Sequence, residues 1–260
     1  MNRRNTQIRR RAILEKLQES GEVSVDELAR EFETSEVTIR KDLAELESNG
    51  MLLRRYGGAV PLPQELIGEP TATKVSEQKE SISKTAADLI RDHYRVIIDS
   101  GSTTAAMLPL LQSKRGLVVM TNSLNIANAL REIENEPTIL MTGGTWDPRS
   151  EAFQGQLAEQ VLKHYDFDQL FIGADGIDVE RGTTTYNELY SLSQVMAEVS
   201  REVIVMAESS KIKRKIHNLE LPWSEVDVLV TDRGISLSDK EKIEQQGVKV
   251  ICTGAAEAEA

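Results

Sequence analysis

The stretch Ser35-Glu36-Val37-Thr38-Ile39-Arg40-Lys41-Asp42-Leu43-Ala44-Glu45-Leu46 decides how the first part of this chain is read. Ile39, Leu43 and Leu46 recur at one-turn and two-turn spacing, which predicts a helix with that stripe inward. Thr38, Arg40, Lys41, Asp42 and Glu45 then fall on the outward side. Ser35 stands at the N-cap position, and Asn49-Gly50 supplies the left-handed stop. Just upstream, Ser24-Val25-Asp26-Glu27 is a capping box opening a shorter helix to about Phe32, with Val25, Leu28, Ala29 and Phe32 buried. A first helix is expected from about Asn5 to Ser20, with Ile8, Ala12, Leu14 and Leu17 inward and Gly21 ending it. Downstream, Leu52-Leu53-Arg54-Arg55-Tyr56-Gly57-Gly58-Ala59-Val60 reads as two short strands around a Gly-Gly turn.

Two short helices joined tightly, followed by a hairpin, make a winged helix-turn-helix, expected over residues 1–60. In that arrangement the start of the second helix meets base edges, so Ser35, Glu36 and Thr38 are candidate base readers. Arg40 and Lys41 are placed to grip phosphates, and Arg54, Arg55 and Tyr56 of the wing to touch the duplex backbone or minor groove. Arg9 and Arg10, part of a basic cluster near the start, join this set. The chain carries a net charge of -11, but its first 60 residues hold 11 basic and 11 acidic side chains. All the excess negative charge therefore lies in the remainder, and an acidic body behind a locally basic head suits selective rather than promiscuous DNA binding.

Pro61, Pro63 and Pro70 mark residues 61–76 as a linker. A second domain, residues 77–255, opens with a helix from about Glu77 that turns Ile82, Ala86, Leu89 and Ile90 inward. Apolar runs then alternate with amphipathic segments: Val96–Asp99, Leu117–Met120, Thr138–Met141, Leu170–Ile172, Val203–Met206, Val228–Val230 and Val248–Ile251. Unbroken apolar strands separated by helices predict an α/β fold with a mostly parallel sheet covered on both faces. Such sheets bind ligands beyond their carboxyl ends. There the sequence places Asp99-Ser100-Gly101-Ser102-Thr103-Thr104, Asn122-Ser123, Gly143-Gly144, Asp175, Asp178 and Lys211. A hydroxyl-rich glycine turn opening a helix can cradle a phosphate, Lys211 can add a cation, and carboxylates and amides can bind sugar hydroxyls. Neither GxxxxGK[ST] nor GxGxxG occurs, which disfavours a nucleotide.

Val37 to Glu47, followed by Arg55-Tyr56-Gly57-Gly58-Ala59, resembles the DNA-binding head of the DeoR family of sugar-metabolism regulators. The likeness continues through the second domain, which is similar to ribose-5-phosphate isomerase and glucosamine-6-phosphate deaminase-like enzymes. Gly173-Ala174-Asp175 and Asp178 match the isomerase's paired-aspartate motif, Glu188 falls near its catalytic carboxylate, and Ser210-Lys211 matches its phosphate-side lysine. Gly176 replaces an acidic residue, and Arg181-Gly182-Thr183-Thr184 stands where the isomerase has Lys-Gly-Gly-Gly. Loss of that lysine implies that binding is kept and chemistry dropped. Met141 to Pro148 and Asn218 to Ser224 are similar to regulators encoded beside glucosamine-6-phosphate synthase.

The resemblance thus implies a repressor rather than an enzyme, without cofactor or metal, that is relieved by a phosphorylated sugar, glucosamine 6-phosphate being one candidate. Operator DNA would be the macromolecular partner, bound by a homo-oligomer, dimer or tetramer. The alternatives are an isomerase or deaminase with a DNA-binding head, using Asp175, Asp178 and Glu188 as acid/base groups, and an activator built from the same parts. Lack of an apolar run long enough to span a bilayer predicts no membrane partner, and a lone Cys252 fits a cytoplasmic setting.

Overall fold

A computed structural model describes residues 6, 9–10, 12–14, 16–17, 21–48, 52–55, 57–60, 76–148, 150–187, 190–214 and 216–253. The chain divides into two compact units, Met1–Pro70 and Thr71–Ala260. Tyr56 and Glu188, both expected at functional surfaces, lie outside the described residues, as does nearly all of the expected linker.

In the first unit the described residues between 6 and 17 are helical (α1). They precede β1 (Val23–Ser24), α2 (Val25–Glu31), α3 (Glu36–Ser48), β2 (Leu53–Arg55) and β3 (Gly58–Val60). Ser24 caps α2 by accepting the Glu27 N–H at 3.2 Å, and Ser35 caps α3 by accepting the Thr38 N–H at 3.2 Å. Between them Glu33 takes a left-handed φ of 47°, which turns the chain sharply from one helix to the next. Ile39, Leu43 and Leu46 meet Val25, Leu28 and Leu52 in one core. From α1 that core takes Ile13 and Leu17; Leu14 is only partly buried against it, so the inward face is rotated from the expected one.

The three strands form an antiparallel sheet in the order β1-β3-β2, with Val23 opposite Ala59 and Arg55 opposite Gly58. The wing's two glycines serve different ends. Gly57 adopts φ 79°, the turn conformation that glycine tolerates best. At Gly58 a Cβ would fall 2.1 Å from the Val23 carbonyl oxygen, so only glycine lets β1 approach β3. That two-residue β1 was not foreseen, because so short a strand leaves no periodicity to read.

One reading of α3 is overturned. Asp42 does not face outward: it is 2 % exposed, inside the head. Arg9 meets its carboxylate at 2.6 Å and Arg10 at 2.9 Å. A buried carboxylate requires paired cations, and these two arginines supply them. Their guanidinium groups, expected at DNA, therefore fasten α1 to α3.

The second unit contains a seven-stranded sheet in the order β15-β14-β12-β9-β4-β5-β6. Its strands are β4 (Arg95–Ile98), β5 (Val118–Thr121), β6 (Thr138–Met141), β9 (Phe167–Ile172), β12 (Ser200–Met206), β14 (Val228–Thr231) and β15 (Lys249–Cys252). Every neighbouring pair is parallel. Alternate residues serve opposite faces. Ile97, Leu170, Ile172, Val203, Val205 and Leu229 join one core with residues of α7 (Gln156–Leu162), α8 (Ser191–Glu198) and α9 (Leu237–Glu244). Val96, Ile98, Val119, Phe171, Ile204, Met206 and Val230 join the other with residues of α4 (Glu77–Asp88) and α6 (Leu124–Arg131). Both faces are apolar, so the strands read as continuous runs. Strands β9 and β12 start three residues earlier than expected, where Asp168, Gln169 and Arg201 interrupt the apolar pattern.

Two smaller antiparallel sheets were not foreseen. The hairpin β7 (Thr145–Asp147) with β8 (Ala152–Gln154) follows β6 and carries Trp146 opposite Phe153. Strands β10 (Gly176–Asp178), β11 (Gly182–Thr185) and β13 (Asn218–Pro222) form the other.

The buried Arg9–Asp42–Arg10 cluster yields a test. Asp42→Ala leaves the nearly buried Arg9 without its carboxylate and Arg10 with only the more distant Glu45, at 3.9 Å, and is expected to cost the head about 3 kcal/mol. Amide hydrogen exchange across α2 and α3 of the full chain should then accelerate by roughly two orders of magnitude. Exchange at the wild-type rate would show that the cluster holds nothing together.

Candidate functional site

The sheet reverses its order at β4. From there the chain steps outward through β5 and β6 on one side and then fills β9, β12, β14 and β15 on the other. The carboxyl ends of β4 and β9 therefore mark the switch point of the fold, where α/β sheets bind ligands. Asp99 follows β4 directly, with its N–H bonded to the Phe171 carbonyl of β9 at 3.0 Å. Asn122, past the end of β5, donates Nδ2 to the Asp99 carboxylate at 2.7 Å and accepts the Ser100 N–H at 3.0 Å. The Asn122 amide thus ties the ends of β4 and β5 together, and the Asp99 N–H ties them to β9.

The expected phosphate-cradle residues split into two groups. Thr103 and Thr104 are buried. The Thr104 hydroxyl lies within hydrogen-bond distance of the Asp99 and Gly101 carbonyls, at 2.8 and 2.9 Å, so it fixes the loop's shape. Ser102 is exposed and receives a hydrogen bond from the Lys79 ammonium at 2.9 Å. Lys79 lies on α4, 23 residues from its partner, and was not singled out in the sequence. Ser83, one turn on, donates to the Thr103 carbonyl at 2.8 Å, which docks α4 against the same loop. Ser123 caps α6 by accepting the Ile126 N–H at 3.4 Å. Gly143 has φ 61° and Gly144 φ 108°; a Cβ on Gly144 would meet the Gln154 carbonyl at 2.5 Å. Those two glycines admit the β7–β8 hairpin.

Asp175 lies in the loop after β9, where its carboxylate accepts the Thr185 hydroxyl at 2.9 Å and the Tyr186 N–H at 3.1 Å. The same loop is gripped from below by Lys211, 6 % exposed, whose ammonium donates to the Ala174 carbonyl at 2.8 Å. Asp178 is placed differently. It ends β10 and accepts the Glu180 N–H at 3.1 Å, shaping the turn into β11.

A further carboxylate joins the site from β13. Glu220, 8 % exposed, accepts the Ser193 hydroxyl at 2.8 Å and the Thr183 hydroxyl at 3.3 Å. Burial, and then the negative charges of Asp99 and Asp175, push its carboxyl up to about 8. Burial also pushes Asp99 up to about 6, against hydrogen bonds from Asn122 and the Ser100 N–H, while the Asp175 charge adds to the rise. Three carboxyl groups thus feel one another at the carboxyl edge. Glu220 therefore keeps a proton at neutral pH. Among the described residues no group of three or more His, Cys, Asp and Glu has the arrangement to hold a metal ion.

On the head, the outward face of α3 presents Ser35, Glu36, Val37, Arg40 and Lys41. Glu36 pairs with Arg40 at 2.7 Å. The hydroxyls of Ser35 and Thr38 lie 2.9 Å apart, within the N-cap. Arg54 and Arg55 stand exposed on β2, Arg54 near Glu47 at 3.7 Å and Arg55 paired with Glu22.

Glu220 sets a pH dependence. With a folded value of about 8 against an ordinary 4.5, the folded chain keeps a proton that the unfolded chain has released. That stability is full below about pH 4.5 and is lost as pH rises through 8, an effect on the order of a few kcal/mol. Glu220→Gln removes the ionisation, so its melting temperature should overtake the wild type's progressively from pH 6 to pH 9. Parallel melting curves for the two proteins over that range would contradict this placement of Glu220.

Residues 74–233 match the DeoR C terminal sensor domain, and residues 9–65 match the DeoR-like helix-turn-helix domain. The chain is 39% identical over 256 residues to a putative aga operon transcriptional repressor of Escherichia coli O157:H7, covering 96% of this chain and 94% of that one. It is 33% identical over 248 residues to the HTH-type transcriptional regulator GlpR of Haloferax volcanii, covering 94% and 96%. Among solved structures, ribose 5-phosphate isomerase A of Methanocaldococcus jannaschii is 17% identical, with a TM-score of 0.38 over 53% of this chain and 55% of that one. With the helix-turn-helix and the sensor sheet both matched to the same family, this chain belongs to the DeoR family: it is a DNA-binding transcriptional repressor with a sensor domain of the sugar-phosphate-responsive kind.

Proposed function

We propose that the effector of this repressor is an amino-sugar phosphate, bound in the crevice beyond β4 and β9. The observation that carries this reading is the loop after β4, where Asn122 holds Asp99 and Lys79 bonds Ser102, with the buried Glu220 lying in the field of Asp99 and Asp175. A phosphoryl group suits the 100–104 loop, where the exposed Ser102 hydroxyl and the Lys79 ammonium are on offer. An ammonium group on the sugar suits these carboxyl groups, because a nearby cation favours the charged form that burial opposes at Glu220 and Asp99. Glucosamine 6-phosphate carries both charges in one small molecule. Lys211 and Asn122 act here by holding the loops that form the crevice walls, Lys211 through the 173–175 loop and Asn122 through the Asp99–Ser100 turn.

On this reading the chain works in the cytoplasm as a dimer or tetramer whose paired heads occupy repeated half-sites, since one small head offers too little contact. Effector binding loosens the operator complex, which requires that the ligand prefer the conformation with the lower DNA affinity. The domain boundaries that go with it are a head of residues 1–60 and a sensor of 77–255, with the signal carried through 61–76. The sensor performs no chemistry.

Two measurements test the proposal together. Thermal unfolding of the full chain should shift upward with glucosamine 6-phosphate; at a hundredfold excess over Kd, ligand selective for the native state adds about 2.7 kcal/mol. Glucose 6-phosphate, lacking the amine, should shift it less, and glucosamine, lacking the phosphate, hardly at all. The same ligand should release operator DNA. Lys79→Ala should demand at least tenfold more effector for release while leaving operator affinity as it was. An unchanged melting point with every phosphorylated amino sugar tried would refute the effector assignment.

A further inference from the structure

The exposed face at the start of α3 has four side chains whose polar groups are already engaged within the head. Ser35 Oγ accepts the Thr38 N–H and lies 2.9 Å from Thr38 Oγ1. Glu36 and Arg40 are paired with each other at 2.7 Å. Amid them stands Val37, 60 % exposed, the one exposed large apolar side chain among the described residues of the head. It lies in the first turn of α3, three and four residues ahead of Arg40 and Lys41, so helical geometry sets it on their face. Singly exposed valines are ordinary on protein surfaces, but this one occupies the turn that enters the major groove in a helix-turn-helix.

We infer that Val37 is a sequence-determining residue of this DNA-binding head, reading a thymine through its C5-methyl group. The major groove offers two kinds of contact: hydrogen-bond donors and acceptors on every base pair, and the methyl group of thymine alone. A valine can use only the second. Its two methyl groups are fixed by β-branching to a single favoured rotamer in a helix, so the contact forms with little loss of side-chain freedom. Arg40 and Lys41, on the same face, are placed to anchor the helix on flanking phosphates, which fixes position without reading sequence. The division of labour differs from the sequence-based expectation: Ser35 and Thr38 build the helix start, and the apolar residue between them reads.

The inference rests on the head's binding of DNA but goes beyond it, and the test separates the two. The full-length protein is first used to select preferred duplexes from a random-sequence pool. Each thymine of the selected site is then replaced singly by deoxyuridine, which deletes the methyl group and no hydrogen-bonding group. For the wild type we expect a loss of about fourfold in affinity at one position per half-site, the worth of one buried methyl group. In Val37→Ala that uracil penalty should vanish at the same position and remain at any others. Val37→Thr, which retains one methyl group, should keep part of it. Arg40→Ala should weaken binding overall yet preserve the penalty. Binding of each variant to an unselected duplex at low salt verifies that its head is folded.

Uracil substitution without cost at every thymine would overturn the inference while leaving DNA binding intact, as would a penalty of wild-type size in Val37→Ala. Failure of the wild-type chain to enrich any sequence would overturn the reading of α3 as a recognition helix, and this inference with it.

Discussion

A parallel sheet covered on both faces satisfies its backbone hydrogen bonds internally and has apolar side chains above and below, so its chemistry is confined to the strand ends. Everything functional in the second unit follows from that constraint. The loops after β4, β5 and β9 are held to one another by Asn122 and by the Asp99 N–H on Phe171, which keeps them in register with the strands beneath. Glu220 is delivered to the same place from outside the main sheet, on a strand that pairs with β11.

The head obeys a different rule. Its core is small, and a carboxylate sits inside it. Asp42 engages the guanidinium groups of Arg9 and Arg10 inside the head, while Arg40, Lys41, Arg54 and Arg55 are exposed on α3 and the wing. Three of these four are paired with Glu36, Glu47 and Glu22. Exposed pairs of this kind hold little energy, and phosphates can displace the glutamates. They lower the head's attraction for arbitrary duplexes and so raise the relative weight of contacts to bases.

The seven strands of the sensor sheet were legible because burial on both faces leaves unbroken runs such as Val96-Ile97-Ile98, and the caps were legible because Ser24 and Ser35 stand at fixed spacing from the helices they open. What escaped had physical causes as well. Its polarity assigned Asp42 to the outside, although its spacing, three residues after Ile39 and four before Leu46, already lay on the inward stripe. Ile13 was missed because α1's apolar residues straddle two faces, and packing alone selected one. Lys79 and Glu220 were invisible as site residues: a lone lysine on an amphipathic helix and a glutamate between two leucines acquire meaning only through partners 23 and 37 residues away. The 173–178 segment was read as one polar cluster, yet β10 carries Asp178 away to shape a turn while Asp175 stays at the crevice.

In the proposed site a cation of the effector takes the place of the proton that Glu220 keeps at neutral pH. Calorimetric titration of the full chain with glucosamine 6-phosphate at pH 7, repeated in buffers of different ionisation enthalpy, counts the protons exchanged on binding. The account predicts net release approaching one proton for the wild type, falling nearly to zero in Glu220→Gln. Binding with no proton released, or with the same release after that substitution, would contradict it.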